Sequence, residues 1–133
     1  MAKRKTRSSQ LRFAAKLLFQ FRVVFKGRSN QRRLCEERIL VIGASSAELA
    51  HRIALRKGRK SEHHYENNAG GTVHVEFVGI LDLMHLGVEC DADEVWYDFR
   101  RLLLPKERAS RLIPPKGKLS ALWKSGPAWK GGL

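Results

Sequence analysis

Between Leu11 and Phe25 the chain alternates. Every odd position is apolar (Leu11, Phe13, Ala15, Leu17, Phe19, Phe21, Val23, Phe25), and Arg12, Lys16, Gln20 and Arg22 stand between them. Successive side chains of a strand point to opposite sides, so a period of two over fifteen residues predicts a long strand with one face on a core. A helix would scatter these phenylalanines around its axis. Gly27 to Asn30 reads as a turn. Residues 35–43, Cys-Glu-Glu-Arg-Ile-Leu-Val-Ile-Gly, predict a second strand. Its end is apolar on both faces, which places it centrally in the sheet.

The period then changes. Ser45-Ser46-Ala47-Glu48 has the form of a capping box, with Ser45 as N-cap and Glu48 reaching back. Ala47, Ala50, Ile53 and Ala54 recur at helical spacing, and Gly58 is a C-terminal stop. Residues 61–71 are a polar connector that ends in the turn residues Asn67-Asn68-Ala69-Gly70-Gly71. A third strand is expected from Thr72 to Leu86. Val73, Val75 and Phe77 share one face, and the lost phase at Gly79 marks a bulge or bend. Cys90 to Asp93 reads as an acidic turn. Glu94 to Leu103 then gives a fourth strand, with Val95, Tyr97 and Phe99 on one face. The expected fold is α+β: a four-stranded, mainly antiparallel sheet in the order β-β-α-β-β, with one helix on one face and basic flexible tails.

Composition fits one domain and narrows its setting. The 133 residues can bury a real core, and 43% hydrophobic against 29% charged residues excludes a disordered chain. No apolar run is long enough for a membrane span, and no apolar signal region follows the basic start. Cys35 and Cys90 alone do not make a disulfide framework, so a reduced, cytoplasmic protein is expected. The expected organisation is a basic N-terminal arm at 1–10, an α+β domain at 11–104, and a basic tail at 105–133. That tail holds all four prolines together with Trp123 and Trp129.

The formal net charge of +13 is unevenly spread. Residues 1–35 hold eleven Lys or Arg and no acid, while residues 66–104 hold eight acids and two bases. Three folded-region or arm clusters stand out: Lys3-Arg4-Lys5-Arg7, then Arg28 with Arg32 and Arg33, then Arg52, Arg56, Lys57, Arg59 and Lys60. Lys116, Lys118, Lys124 and Lys130 lie beside the two tail tryptophans, which could stack on bases. Such clusters suit phosphate, although no recognised nucleic-acid motif accompanies them.

Four separated segments resemble a known family. Lys16-Leu17-Leu18-Phe19, then Cys35-Glu36-Glu37-Arg38-Ile39, then His64-Tyr65-Glu66-Asn67, then Phe77-Val78-Gly79-Ile80-Leu81-Asp82 are similar, in this order, to motifs of small bacterial proteins catalogued only as a domain of unknown function. The resemblance covers about residues 12–100 and implies a small bacterial α+β module. It supplies no activity. Its motif residues fall on Glu36, Glu37, Arg38, Tyr65, Asn67, Gly79 and Asp82.

The chemistry the residues offer is limited. Glu36 and Arg38 share a strand face and Glu37 lies on the other, where Arg12, Lys16 or Arg22 of the neighbouring strand would pair with it. Cross-strand pairing and a ligand-binding carboxylate are both open for Glu37. The histidines His51, His63, His64, His74 and His85 show no metal-ligand spacing. There is no nucleophile elbow, no Cys-His signature, and no glycine-rich phosphate loop. No catalytic residue, metal or cofactor is therefore assigned. The first reading is a non-enzymatic module that binds DNA or RNA without sequence preference. Its nucleic-acid contacts would be Arg28, Arg32, Arg33, Arg52, Arg56, Lys57, Arg59 and Lys60. The alternatives are a protein-binding immunity or regulatory module using the acidic 82–98 region, and a small metal-dependent hydrolase or nuclease built on Glu37 and Asp82. No membrane partner is expected, and the oligomeric state is left open.

Overall fold

The computed structural model describes residues 10–102 and 109–122. The N-terminal arm up to residue 9, the segment 103–108, and the tail tryptophans Trp123 and Trp129 with Lys124 and Lys130 lie outside the described residues. Two compact units divide the chain, with the break between Tyr97 and Asp98.

The first unit is built on β1, Leu11–Phe25. It is the central strand of a five-stranded antiparallel sheet. One edge pairs with β5, Thr72–Leu86, from Arg12↔Leu86 to Val24↔Thr72. The other edge pairs with β3, Leu34–Ala44, from Leu11↔Ala44 to Phe21↔Leu34. The two-residue β2, Arg28–Ser29, continues that edge opposite Val24 and Phe25. Lys26 and Gly27, at φ 50° and 78°, turn the chain between β1 and β2. Positive φ at both central residues is the hairpin turn whose twist matches that of the strands. β4, His63–Glu66, pairs with β5 from His63↔Val75 to Glu66↔Thr72.

Helix α1, Ala47–Lys60, covers one face. The odd side chains of β1 meet it as expected: Phe13, Ala15, Leu17, Phe19 and Phe21 are buried with Ala50 and Ala54, and Ile53 packs against them partly buried. Phe19 is 1% exposed. The stripe Ala50, Ala54 and Gly58 is buried at a spacing of four, which brings small residues against the sheet. A Cβ at Gly58 would lie 2.6 Å from the Phe77 ring. Gly58 is therefore a contact glycine rather than the stop. The helix runs on to Lys60 and Ser61 caps it. The N-cap is Ser46, not Ser45: its hydroxyl accepts from the Leu49 N–H at 3.2 Å. Ala47 consequently points outward and is exposed.

The α+β class holds, and three of its expected details change. β3 is an outer strand, because both edges of β1 are taken by β3 and β5 and nothing pairs with the far side of β3 among the described residues. Its apolar outer face leaves Ile39 and Val41 exposed. The polar connector contains β4, whose four residues are too short for any period to show. Residues 94–102 form no strand. Instead, residues 87–97 fold across the face opposite the helix, where Ala14, Met84, Leu86 and Cys90 are buried and Trp96 packs on them. Trp96 turns inward, while Val95 and Tyr97 are exposed, opposite to the phase expected for a strand. The acidic turn is real: Glu94 N–H donates to the Asp91 carbonyl, and Asp91 N–H to the Glu94 carboxylate. Burial pushes the Cys90 thiol up, and it donates to the Met84 sulfur at 3.2 Å.

The irregularity at Gly79 is a pair of bulges. The register skips Val78 between Phe19↔Phe77 and Leu18↔Gly79, and skips Leu81 between Leu17↔Ile80 and Lys16↔Asp82. Each bulge inserts one residue, so the helix-facing positions of β5 are odd at Val73, Val75 and Phe77, even at Ile80, and odd again at Leu83.

The second unit is described at 98–102 and 109–122. It contains the short helix α2, Ala109–Leu112, and a 3-10 turn at Lys116–Lys118, with no buried residue in either. Among the described residues no helix is long and apolar enough to cross a membrane.

Two substitutions test the helix–sheet contact. Phe19→Ala is expected to cost about 3–5 kcal/mol in a denaturant titration. Gly58→Ala should lower the denaturation midpoint despite the gain of ~1 kcal/mol in helix propensity, because the added carbon must displace the Phe77 ring.

Candidate nucleic-acid interface

The sheet has two distinguishable ends, set by the register. One end carries the β1–β2 hairpin. At the other, Leu11, Ala44 and Leu86 come together and residues 87–97 leave β5. The helix begins just after Ala44 and so starts at the second end. After Lys60 the chain enters β4, whose His63 lies opposite Val75, itself opposite Phe21. The helix therefore delivers its C-terminus to the half of the sheet that carries the hairpin.

This geometry puts the basic residues in one half of the sheet, Arg28, Arg32 and Arg33 beside β3 at one edge and the helix end beside β4 at the other. Arg28 stands on β2, and Arg32 and Arg33 lie in the loop that leads to β3. Arg56, Lys57, Arg59 and Lys60 occupy the last turns of α1, with Arg52 one turn earlier. All eight are exposed. Cations at a helix C-terminus also complement the helix dipole, which gives them a local stabilising role. Among the described residues none of the eight is held by a carboxylate. Arg33 donates only to the Asn30 carbonyl and to the Gln20 side chain. The acidic loop, with Glu89, Asp91, Asp93 and Glu94 exposed, lies at the opposite end of the sheet.

Three cations of the sheet, Lys16, Arg22 and Arg38, are engaged by carboxylates. Arg38 donates to Glu36 at 2.7 Å on the helix-bearing face and stacks on Phe19, its guanidinium carbon 4.4 Å from the ring centre. Glu37 lies on the other face and pairs with Lys16 at 3.6 Å. Of the three partners considered for Glu37, the structure selects Lys16. The Lys16 side chain is only 15% exposed, sits opposite Asp82 in the register, and lies 4.9 Å from the centre of the Trp96 ring. Glu37 is therefore paired with an ammonium, and Asp82 faces Lys16 across the strand register. Asp82 also accepts from the Leu83 N–H.

Tyr65 and Asn67 serve the fold. Tyr65 is partly buried against the core. The Asn67 side chain accepts from the N–H groups of Ala69 and Gly71 and so closes the β4–β5 turn. Gly79 separates the two bulges, with nothing within 4 Å of the position a Cβ would take. The motif residues thus fall at several places: Glu37 and Asp82 beside Lys16, Glu36 and Arg38 at the edge of the core, and Tyr65, Asn67 and Gly79 along β4 and β5.

A polar cluster that the sequence did not single out lies on the face away from the helix. Arg22 donates through Nε and Nη2 to both Glu76 oxygens at 2.9–3.1 Å, and Gln20 adds a third donor at 3.0 Å. Residues 20, 22 and 76 carry no spacing signal, because their pairing is set by the register of two strands far apart in the chain. His64 and His74 face each other nearby, with ring centres 5.7 Å apart. They line an open cleft of about 280 Å³ with Glu62, His63 and Glu76. Among the described residues no three His, Cys, Asp or Glu side chains are grouped to hold a metal ion.

The family model of a domain of unknown function, DUF4288, matches residues 12–95. The chain belongs to this family. The DUF4288 match starts on β1 and ends beside Trp96, so it takes in the sheet, the helix and most of the segment that crosses the sheet. The eight basic residues and all seven motif residues lie inside it, and the N-terminal arm and the tail lie outside it. No curated protein and no solved structure matches the chain.

The Glu76 cluster has a defined pH signature. Hydrogen bonds from Arg22, reinforced by Gln20 and by the charges of Arg22 and His74, hold the Glu76 carboxyl below its usual range in spite of some desolvation. A carboxyl lowered in the folded state adds stability that is full above its unfolded value of about 4.3 and is lost as pH falls through the folded value. Glu76→Gln should therefore melt below the wild type at pH 7. The two melting temperatures should draw together toward about pH 2, where the wild-type carboxyl is also neutral.

Proposed function

We propose that this domain binds nucleic acid without sequence preference through the hairpin end of its sheet. One observation carries the reading: the topology brings Arg28, Arg32 and Arg33 to the same half of the sheet as Arg56, Lys57, Arg59 and Lys60, although more than twenty residues separate the two groups in the chain. Cations that are exposed and not neutralised by carboxylates are the group a phosphate backbone selects, because each contact releases condensed counterions. The acidic loop at the other end of the sheet would orient the domain, since it is repelled by the polyanion that the basic end attracts. No side-chain arrangement that reads base edges is implied, which is why sequence-independent binding is proposed.

Salt-titrated binding to DNA and RNA tests this. Affinity should fall steeply as salt rises. Replacing Arg56, Lys57, Arg59 and Lys60 together by Gln should reduce the slope of log K against log salt by up to about three units on single strands, at ~0.7 per phosphate contact. These side chains are exposed, so the circular dichroism spectrum should stay unchanged. An absence of affinity for either nucleic acid at low salt would refute the proposal.

A further inference from the structure

We infer that the hairpin tip is a stacking platform for a base of single-stranded nucleic acid, with Phe25 as the platform and Lys26 and Arg28 as its phosphate contacts. The inference rests on the nucleic-acid reading above and names the form of ligand the site takes.

Phe25 belongs to the odd stripe of β1, and the rest of that stripe from Phe13 to Phe21 is buried. Phe25 is 46% exposed. It lies four residues beyond Phe21, the level at which the chain leaves the helix for β4. That is ~13 Å of strand, further than α1 reaches. Its immediate surroundings are cationic. The Lys26 ammonium lies 5.4 Å from the ring centre, and Arg28 is its direct partner across the hairpin.

Two backbone features keep this ring open. The turn beside it presents Gly70, at φ 84°, and a Cβ there would stand 3.8 Å from the Phe25 ring. Glycine at that position places no side chain of the turn against the ring. Lys26 itself has φ 50°, the left-handed region that hairpin turns usually fill with Asn, Asp or Gly. The turn thus sets a mobile cation beside an exposed ring, and a base that displaces the ammonium from the ring face would leave it free to meet the phosphate.

The charge layout gives the strand a path. Odd residues of β1 point to the helix-bearing face, so Phe25 shares that face with the helix end that carries Lys57, Arg59 and Lys60. A flexible single strand can follow these cations and present an unstacked base to the tip. Every base has a π face, so such a contact adds affinity without sequence preference. In a duplex the bases are already stacked, and using the platform would require unstacking a step.

The test measures binding of a labelled single strand of about 12 nucleotides, oligo-dT or oligo-U, and of a duplex of equal length, by fluorescence anisotropy across salt concentrations. Phe25→Ala should weaken single-strand binding roughly 5- to 150-fold with an unchanged salt slope, because stacking releases no counterions, and should leave duplex binding unaltered. Phe25→Leu should not restore affinity, whereas Phe25→Trp should, and the added indole emission should be quenched by the oligonucleotide. Thermal melting of each variant confirms that the fold is retained. If Phe25→Ala or Phe25→Leu binds the single strand as tightly as the wild type, the platform is refuted while the basic end stands. If the wild type binds neither nucleic acid at low salt, the underlying reading falls and the platform with it.

Discussion

The close approach of α1 to the sheet determines most of this structure. Phe19 and Phe77 are large rings on neighbouring strands, 5.5 Å apart at their centres. The helix can cover them only if its own contact residues are small. Ala50, Ala54 and Gly58 meet that condition along one line. Glycine inside a helix is costly, by about 1 kcal/mol relative to alanine, and at Gly58 the cost is offset by contact with the Phe77 ring. The helix ends just past this contact, with Ser61 as its cap. Two residues after Lys60, the Glu62 carboxylate accepts the Phe77 N–H at 2.9 Å, just beyond the last β4–β5 pair, and the chain enters β4. The basic helix end thus lies beside the packing of two phenylalanines.

Much of this was legible in the residues because β1 is so regular. Its fifteen-residue alternation specified the strand, its core face and its helical cover without any knowledge of partners. The pairing of Glu37 with Lys16 was within reach for the same reason, since neighbouring strands restrict which opposite charges meet. What stayed hidden depends on contacts between distant segments. His63–Glu66 is a strand only because β5 offers it an edge. Cys90 and Trp96 looked like parts of an acidic turn and a strand, and the first is buried and the second partly buried because Ala14 leaves room on the far face of β1. Phe25 obeys the same alternation as Phe19 and Phe21, and only the length of the helix separates it from them. The basic clusters were visible as clusters, whereas their common location required the path from β3 through the helix to β4.

Charge and packing divide the domain along the strands. Paired cations such as Arg22, Lys16 and Arg38 sit in the sheet, where partial removal from water makes a neighbouring carboxylate valuable. The exposed cations at the hairpin half are kept in solvent, and among the described residues no carboxylate holds them. Surface charges left in this way contribute little to folding, so they are free to serve association. Three of the family's motif residues, Glu36, Glu37 and Arg38, take part in such pairs, while Tyr65, Asn67 and Gly79 shape β4, its turn and β5, so the motif is spread through the sheet instead of one pocket.

The two bulges of β5 make the length of the chain part of its design. Each inserted residue reverses which face the following side chains occupy, and the second reversal undoes the first. Upstream, Val73 and Val75 fill the helix side. Downstream, Met84 and Leu86 fill the opposite side beneath Trp96. Loss of Val78 or of Leu81 would straighten one bulge and leave Met84 and Leu86 opposite the same residues of β1, on the same face. Loss of a residue from the regular ladder on either side would turn the neighbouring side chains toward the wrong layer. The strand thus holds two spare residues, and whether a deletion is tolerable depends on where it falls before its composition matters.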